Sequence, residues 1–106
     1  MPLDDTEADR HIRARGGPSF GPNFLMKVRK HIDQVRRRHR GHVDRIPRPE
    51  RGGADRLKEI IVTRVSRGGG RFTTFAGARA IVYEDEGVSY VFRENGEFWT
   101  ILRNWQ

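Results

Sequence analysis

The sequence predicts an α+β domain in which an N-terminal helix or helices pack on a four- to five-stranded antiparallel meander sheet. Three observations carry that expectation. Apolar residues between Phe24 and Val35 recur every three or four positions, the repeat of a helix with one buried stripe. From about residue 57 the pattern changes to alternation in segments rich in Val, Ile, Thr and Phe, the period of a strand. Gly68-Gly69-Gly70, Asp85–Gly87 and Asn95-Gly96 then supply turns close enough together to join neighbouring strands antiparallel.

Each element follows in order. Residues 1–9 hold Asp4, Asp5, Glu7 and Asp9 with no base and read as an acidic linker, leaving 10–106 as a single domain. Residues 10–15 begin a short helix that Gly16-Gly17-Pro18 ends. The main helix starts at Ser19 or Asn23 and runs to about Arg40, where Gly41 supplies a stop. Phe24, Leu25, Val28, Ile32 and Val35 form its buried stripe, and Lys27, Arg29, Lys30 and Arg36 to Arg38 occupy its wet side. Pro47, Pro49, Gly52 and Gly53 make 41–55 a loop. Leu57–Ser66 suits a strand, with Arg56–Ile60 open to a turn of helix. Strands follow at Arg71–Phe75, Ala78–Glu84, Val88–Arg93 and Glu97–Arg103.

Asn95-Gly96 is the sharpest turn signal, because Asn-Gly supplies the positive φ angles of a two-residue type I′ hairpin. That turn pairs Arg93 with Phe98, Phe92 with Trp99, Val91 with Thr100, Tyr90 with Ile101 and Ser89 with Leu102. One face then carries Val88, Tyr90, Phe92, Trp99 and Ile101 toward the helix. The other carries Ser89, Val91, Arg93, Phe98, Thr100 and Leu102, a mixture that fits a shallow, half-open cleft.

Composition narrows the chemistry. The chain has no cysteine, which removes disulfides, zinc–thiolate sites and thiol nucleophiles. No run approaches the ~18 apolar residues of a membrane span, and no signal-peptide pattern opens the chain, so a soluble protein is expected. Residues 10–51 hold 13 Lys/Arg against three acids, whereas residues 52–106 hold eight against seven. So uneven a distribution exceeds what solubility requires and points to a polyanion; the bland alternative is a solvated face in an arginine-rich protein.

Cleaving RNA needs little from a protein. The 2′-hydroxyl is the nucleophile, so a base, an acid at the leaving oxygen and donors on the phosphorane suffice. His11, in a basic hexapeptide with Arg13 and Arg15, is the first candidate acid–base group. His31 borders the apolar stripe; His39 and His42 suit structural or phosphate-touching positions. Arg64 and Arg71 flank the glycine turn and Arg93 lies on the half-open face, where guanidinium forks match phosphate oxygens. Lys27, Lys30 and Arg37 on the helix suit backbone contacts. Thr73, Thr74 and Thr100 are ordinary strand residues, but Thr100 falls on the polar face. Tyr90 suits packing against the helix. Gly68–Gly70 lacks the following helix of a phosphate loop, and Glu84 to Glu86 form a turn cluster without calcium-loop spacing. No metal or cofactor is expected.

The layout is a His-Ile-x-x-Arg opening, a basic helix and a glycine-punctuated meander. It closes on Gly-Val-Ser-Tyr-Val-Phe-Arg-Glu-Asn-Gly-Glu-Phe-Trp-Thr-Ile-Leu. It resembles the polymorphic-toxin nucleases of the barnase–EndoU–colicin–RelE group over residues 10–103. The resemblance implies a helical part on a four- or five-stranded sheet and metal-independent RNA cleavage, often of transfer RNA. It implies neutralisation by an acidic cognate immunity protein or antitoxin, and secretion or delivery as part of a larger toxin that acts in a target-cell cytoplasm. It maps the family's N-terminal His to His11, its last-strand Thr to Thr100, and an early-strand basic or hydroxyl residue to Arg64, Arg71 or Thr73. Unlike EndoU-type members, this sequence has no second His in the sheet, which leaves His31, Tyr90 or an Arg as the partner of His11. The catalytic set expected is therefore His11, Arg13, Arg71, Thr73 and Thr100, with Arg15, Lys27, Lys30, Arg37, Arg64 and Arg93 holding RNA. A non-enzymatic nucleic-acid-binding module and a ribosome-dependent messenger-RNA interferase of the RelE kind share the same basic footprint.

Overall fold

A computed structural model describes residues 5–38 and 52–103. Helices α1 (Glu7–Ala14), α2 (Phe24–Arg38) and α3 (Gly53–Ser66) precede strands β1 (Arg71–Phe75), β2 (Ala78–Asp85), β3 (Val88–Arg93) and β4 (Phe98–Arg103). The strands form one antiparallel sheet in the order β1-β2-β3-β4. This is the α+β layout that the hydropathy pattern predicts. Most of the 41–55 loop, with His39, Arg40 and His42, lies outside the described residues.

The sheet has two unlike faces. Alternation sends Phe72, Ile81, Tyr83, Val88, Tyr90, Phe92, Phe98 and Ile101 to one side, where all but the half-buried Phe72 are fully buried. The helices cover that side: α2 lies along β4 and β3, α3 along β2, and α1 beside β1. Phe24, Val28, Ile32 and Val35 of the predicted stripe are buried there, while Leu25 is half exposed. No helix among the described residues covers the opposite side.

Leu57–Ser66, expected as a strand, forms all of α3 after its first four residues. Ile60, Ile61, Val62 and Thr63 are β-branched and favour strands locally. Leu57 and Ile61 are both 0 % exposed and one helical turn apart, and Ala54, Ile60 and Val65 pack beside them. Burying that stripe outweighs the local preference. Four strands result, not five.

Residues 5–9 are not a linker. Thr6 caps α1: its hydroxyl accepts from the Asp9 amide and the Asp9 carboxylate accepts from the Thr6 amide, each at 3.0 Å. Asp9 is 3 % exposed and also accepts from the Gly69 amide at 2.8 Å, the Gly70 amide at 3.0 Å and the Tyr83 hydroxyl at 2.5 Å. Burial alone would raise its pKa, but the Tyr83 hydroxyl and the three amides outweigh burial and hold the carboxyl down to about 2. The triple glycine thus does cradle an anion, the protein's own. A Cβ on Gly70 would stand 2.5 Å from the Tyr83 ring, so only glycine lets the loop reach that carboxylate.

The turns also differ from expectation. Two-residue turns with both φ angles positive occur at Ala76-Gly77 and Glu86-Gly87. At Asn95-Gly96 the loop has three residues: the Gly96 amide donates to the Arg93 carbonyl at 2.9 Å, and the Arg93 amide donates to the Glu97 carbonyl at 2.8 Å. Only Gly96 takes a positive φ there, of 89°, which makes it a turn closed by a glycine bulge. Phe92 therefore faces Phe98, and a second bulge at Trp99 restores the expected pairs Val91–Thr100, Tyr90–Ile101 and Ser89–Leu102. The two irregularities exchange Phe98 and Trp99 between faces. Phe98 enters the core, and Trp99 goes to the open side.

Candidate functional site

The face of the sheet that no helix among the described residues covers is built from three cross-strand rows. Arg71, Val82, Val91 and Thr100 share one; Glu84, Ser89 and Leu102 share the next toward the glycine loop; Thr73, Ala80 and Arg93 share the next toward the far end. Val82 and Val91 floor a groove of about 210 Å³ whose rim includes Arg71, Thr73, Phe75, Glu84, Ser89 and Leu102.

Its two ends differ in chemistry. At one, Arg71 donates to the Glu84 carboxylate at 2.5 Å, and both side chains are more than half exposed. At the other, the Phe75 and Trp99 rings meet edge to face with centroids 4.9 Å apart, and the Arg93 guanidinium lies 4.2 Å from the Trp99 centroid. Ala78 and Ala80 between them are too small to keep the rings apart. The bulge supplies the rest: it puts Trp99 on the same side as Thr100. The Glu84 carboxylate, the Arg71 guanidinium, the Thr73 and Ser89 hydroxyls and the Phe75 ring thus line the groove, and Arg93, Trp99 and Thr100 share the sheet face beyond it.

Four expected site residues, Arg71, Thr73, Thr100 and Arg93, share this face. They are not all neighbours: Arg71 and Thr100 are three strand spacings apart, roughly 14 Å. His11 is elsewhere. It stands on α1 against Phe72, ring centroids 5.6 Å apart and nearly perpendicular, on the helix-covered side, and its Nε2 is buried without a hydrogen-bond partner. His11 and Thr100 therefore lie on opposite faces and at opposite edges of the sheet, and the catalytic pairing expected between them does not form. The cause is α1, which lies against the helix side of β1 and carries its histidine there.

The remaining arginines and lysines divide. Arg13 pairs with the Asp5 carboxylate. Arg64, expected to hold phosphate, donates to the Glu84 carbonyl at 2.6 Å and to the Gly68 carbonyl at 2.7 Å, so it ties the end of α3 to the sheet. Lys27 is half-buried; burial, and then the positive field of Arg93, lowers its pKa. Arg15 and Lys30 are exposed, and the Arg37 side chain lies outside the described residues. Burial, with Lys30 beside it, lowers the His31 pKa. Tyr90 is buried in the core, its hydroxyl donating to Asp85 at 3.3 Å, and burial pushes its pKa far up. Among the described residues no three His, Asp or Glu side chains gather as a metal-holding cluster.

Glu84 is the residue that sequence reasoning missed, by grouping it with the turn at Asp85-Glu86. The available signal was alternation: Glu84 is two positions from Val82, and the hairpin register sets it opposite Ser89. Phe75 and Trp99 escaped for want of the bulge. The chain matches no protein-family model, no curated protein and no solved structure.

Proposed function

We propose that this chain is an endoribonuclease domain that grips an RNA strand on the open face of its sheet and cuts it by acid–base transesterification. One observation supports this above the others: the Arg71–Glu84 pair, 2.5 Å apart, stands at the rim of an apolar groove with hydroxyls from Thr73 and Ser89 beside it. In this reading Glu84 takes the proton of the ribose 2′-hydroxyl. The freed oxygen attacks phosphorus, the bond to the 5′-oxygen breaks, and the leaving oxygen takes a proton from solvent. The products are a 2′,3′-cyclic phosphate and a 5′-hydroxyl. Arg71 shifts from the carboxylate to the phosphorane oxygens, where a guanidinium stabilises the developing charge. Arg93 and the basic side of α2 draw in the strand. The likeness in layout to the toxin nucleases extends the proposal to a toxin acting in a target-cell cytoplasm, on transfer RNA, with an acidic immunity protein as its partner.

The test is incubation of the purified chain with end-labelled transfer and messenger RNA, with and without ribosomes. Cyclic-phosphate ends should form, and Glu84→Gln should slow their appearance roughly 10²–10⁴-fold, the usual contribution of a general base. RNA left intact in every arm would falsify the proposal. Cutting only with ribosomes would assign the messenger-RNA interferase reading.

A second reading, a non-enzymatic RNA-binding module, is favoured by the separation of His11 from the open face. Tight RNA binding with no cutting would select it.

A further inference from the structure

We infer that the open face selects unpaired RNA, with one base seated in the Val82–Val91 groove and a neighbouring base stacked on the Trp99–Arg93 layer. The inference rests on RNA binding at this face and adds the form of RNA that it takes. The groove, at about 210 Å³, is smaller than the ~300–1,000 Å³ of ordinary small-molecule pockets. It has room for one flat heterocycle. Its floor is the half-buried Val82 beside Val91, which is 2 % exposed. This aliphatic floor suits the face of a base, and the rim hydroxyls and Arg71 suit the edge and the adjoining phosphate.

Arg93 marks the second position. The exposed Arg93 guanidinium lies over the indole, 4.2 Å from its centroid, and bases stack on guanidinium planes as well as on rings. A duplex cannot use either position. Its base faces are stacked on one another inside the helix, and only base edges, sugars and phosphates reach a protein. An electrostatic footprint alone would not discriminate in this way, because duplex and single strand both carry phosphates.

The experiment measures binding of a fluorescent 2′-O-methyl oligoadenylate, which lacks the attacking hydroxyl and stays intact, by anisotropy. The same strand annealed to its complement and inorganic polyphosphate serve as competitors. The single strand should bind at least tenfold more tightly than the duplex. Thr73→Trp, an exposed rim substitution that fills the groove, should weaken it about tenfold, and Trp99→Ala by a similar factor, each within the range for removing one stacked base. Trp99→Phe should recover most of the affinity, which separates stacking from damage to the fold. If the strand binds but neither substitution matters and duplex or polyphosphate competes equally, the base positions are wrong while RNA binding stands. If no RNA species binds at all, the proposed function fails with them.

Discussion

Replacing Asp9 by Asn tests how the N-terminus is tied to the sheet. One carboxylate oxygen accepts from the Gly70 amide and the Tyr83 hydroxyl, the other from the Thr6 and Gly69 amides. An Asn side chain keeps one oxygen and turns the other into a donor. Set toward Thr6 and Gly69, that donor faces two amides; set toward Gly70 and Tyr83, it still faces one amide, although the hydroxyl can turn to accept. A buried donor without a partner costs roughly 1–3 kcal/mol. Asp9→Asn should therefore lose about 1–3 kcal/mol at neutral pH, a large part of the ~5–15 kcal/mol that holds a small domain together. The pH dependence has a definite sign. The folded-state carboxyl titrates at about 2 against an ordinary 3.8, so the folded state binds fewer protons between those values. The stabilisation, about 2 kcal/mol, is complete at neutral pH, begins to drain as pH falls past 4, and is gone once pH drops below 2. Urea unfolding at pH 7 and pH 2.5, followed by circular dichroism, measures both effects. A variant within about 0.5 kcal/mol of the parent at pH 7, or one with the same acid sensitivity, would refute the reasoning.

Other consequences are simpler to state. Gly70→Ala should destabilise by roughly 1–3 kcal/mol, because its methyl must displace the Tyr83 ring from 2.5 Å; chemical denaturation reads the change. Ala76→Gly should stabilise by about 0.5–1 kcal/mol, since Ala76 is held at a φ of 50° that glycine adopts without strain. Arg71→Ala should slow RNA cleavage at least 100-fold while leaving the melting temperature within a few degrees, because Arg71 is exposed and pairs only across the surface. Raising salt from about 50 to about 200 mM should weaken RNA binding severalfold for each phosphate that Arg71 or Arg93 neutralises, as titrations at fixed pH would record.

Much of the fold was legible because the residues concerned answer to a single pattern. β1 to β3 lie where alternation and glycine turns set them, and α2 where an apolar stripe does. The rest depended on partners distant in sequence. α3 carries a β-branched run, and only its packing under the sheet decides for helix. Asp9 looks like linker acid until the glycine loop, some 60 residues away, is brought to it. At the last hairpin, Asn95-Gly96 announced a turn but not its length, and one extra residue exchanged Phe98 with Trp99. That exchange is why half of the candidate site was hidden: the aromatic wall exists only because of the bulge. Arg71, Thr73, Arg93 and Thr100 were readable as polar members of one face. Glu84 was readable in principle and obscured by its acidic neighbours. The placement of His11 was not readable, because a short helix can dock on either side of a sheet.

RNA is expected to sit on the sheet face opposite the helices, not on the basic helix. Backbone amide chemical shifts, followed while a short single-stranded RNA is titrated into isotope-labelled protein, test it most directly. The largest changes should fall at Thr73, Val82, Ser89, Val91 and Trp99, with α1 and the buried side of α2 little affected. Changes confined to α2 and the residues around it, with the strands silent, would contradict it.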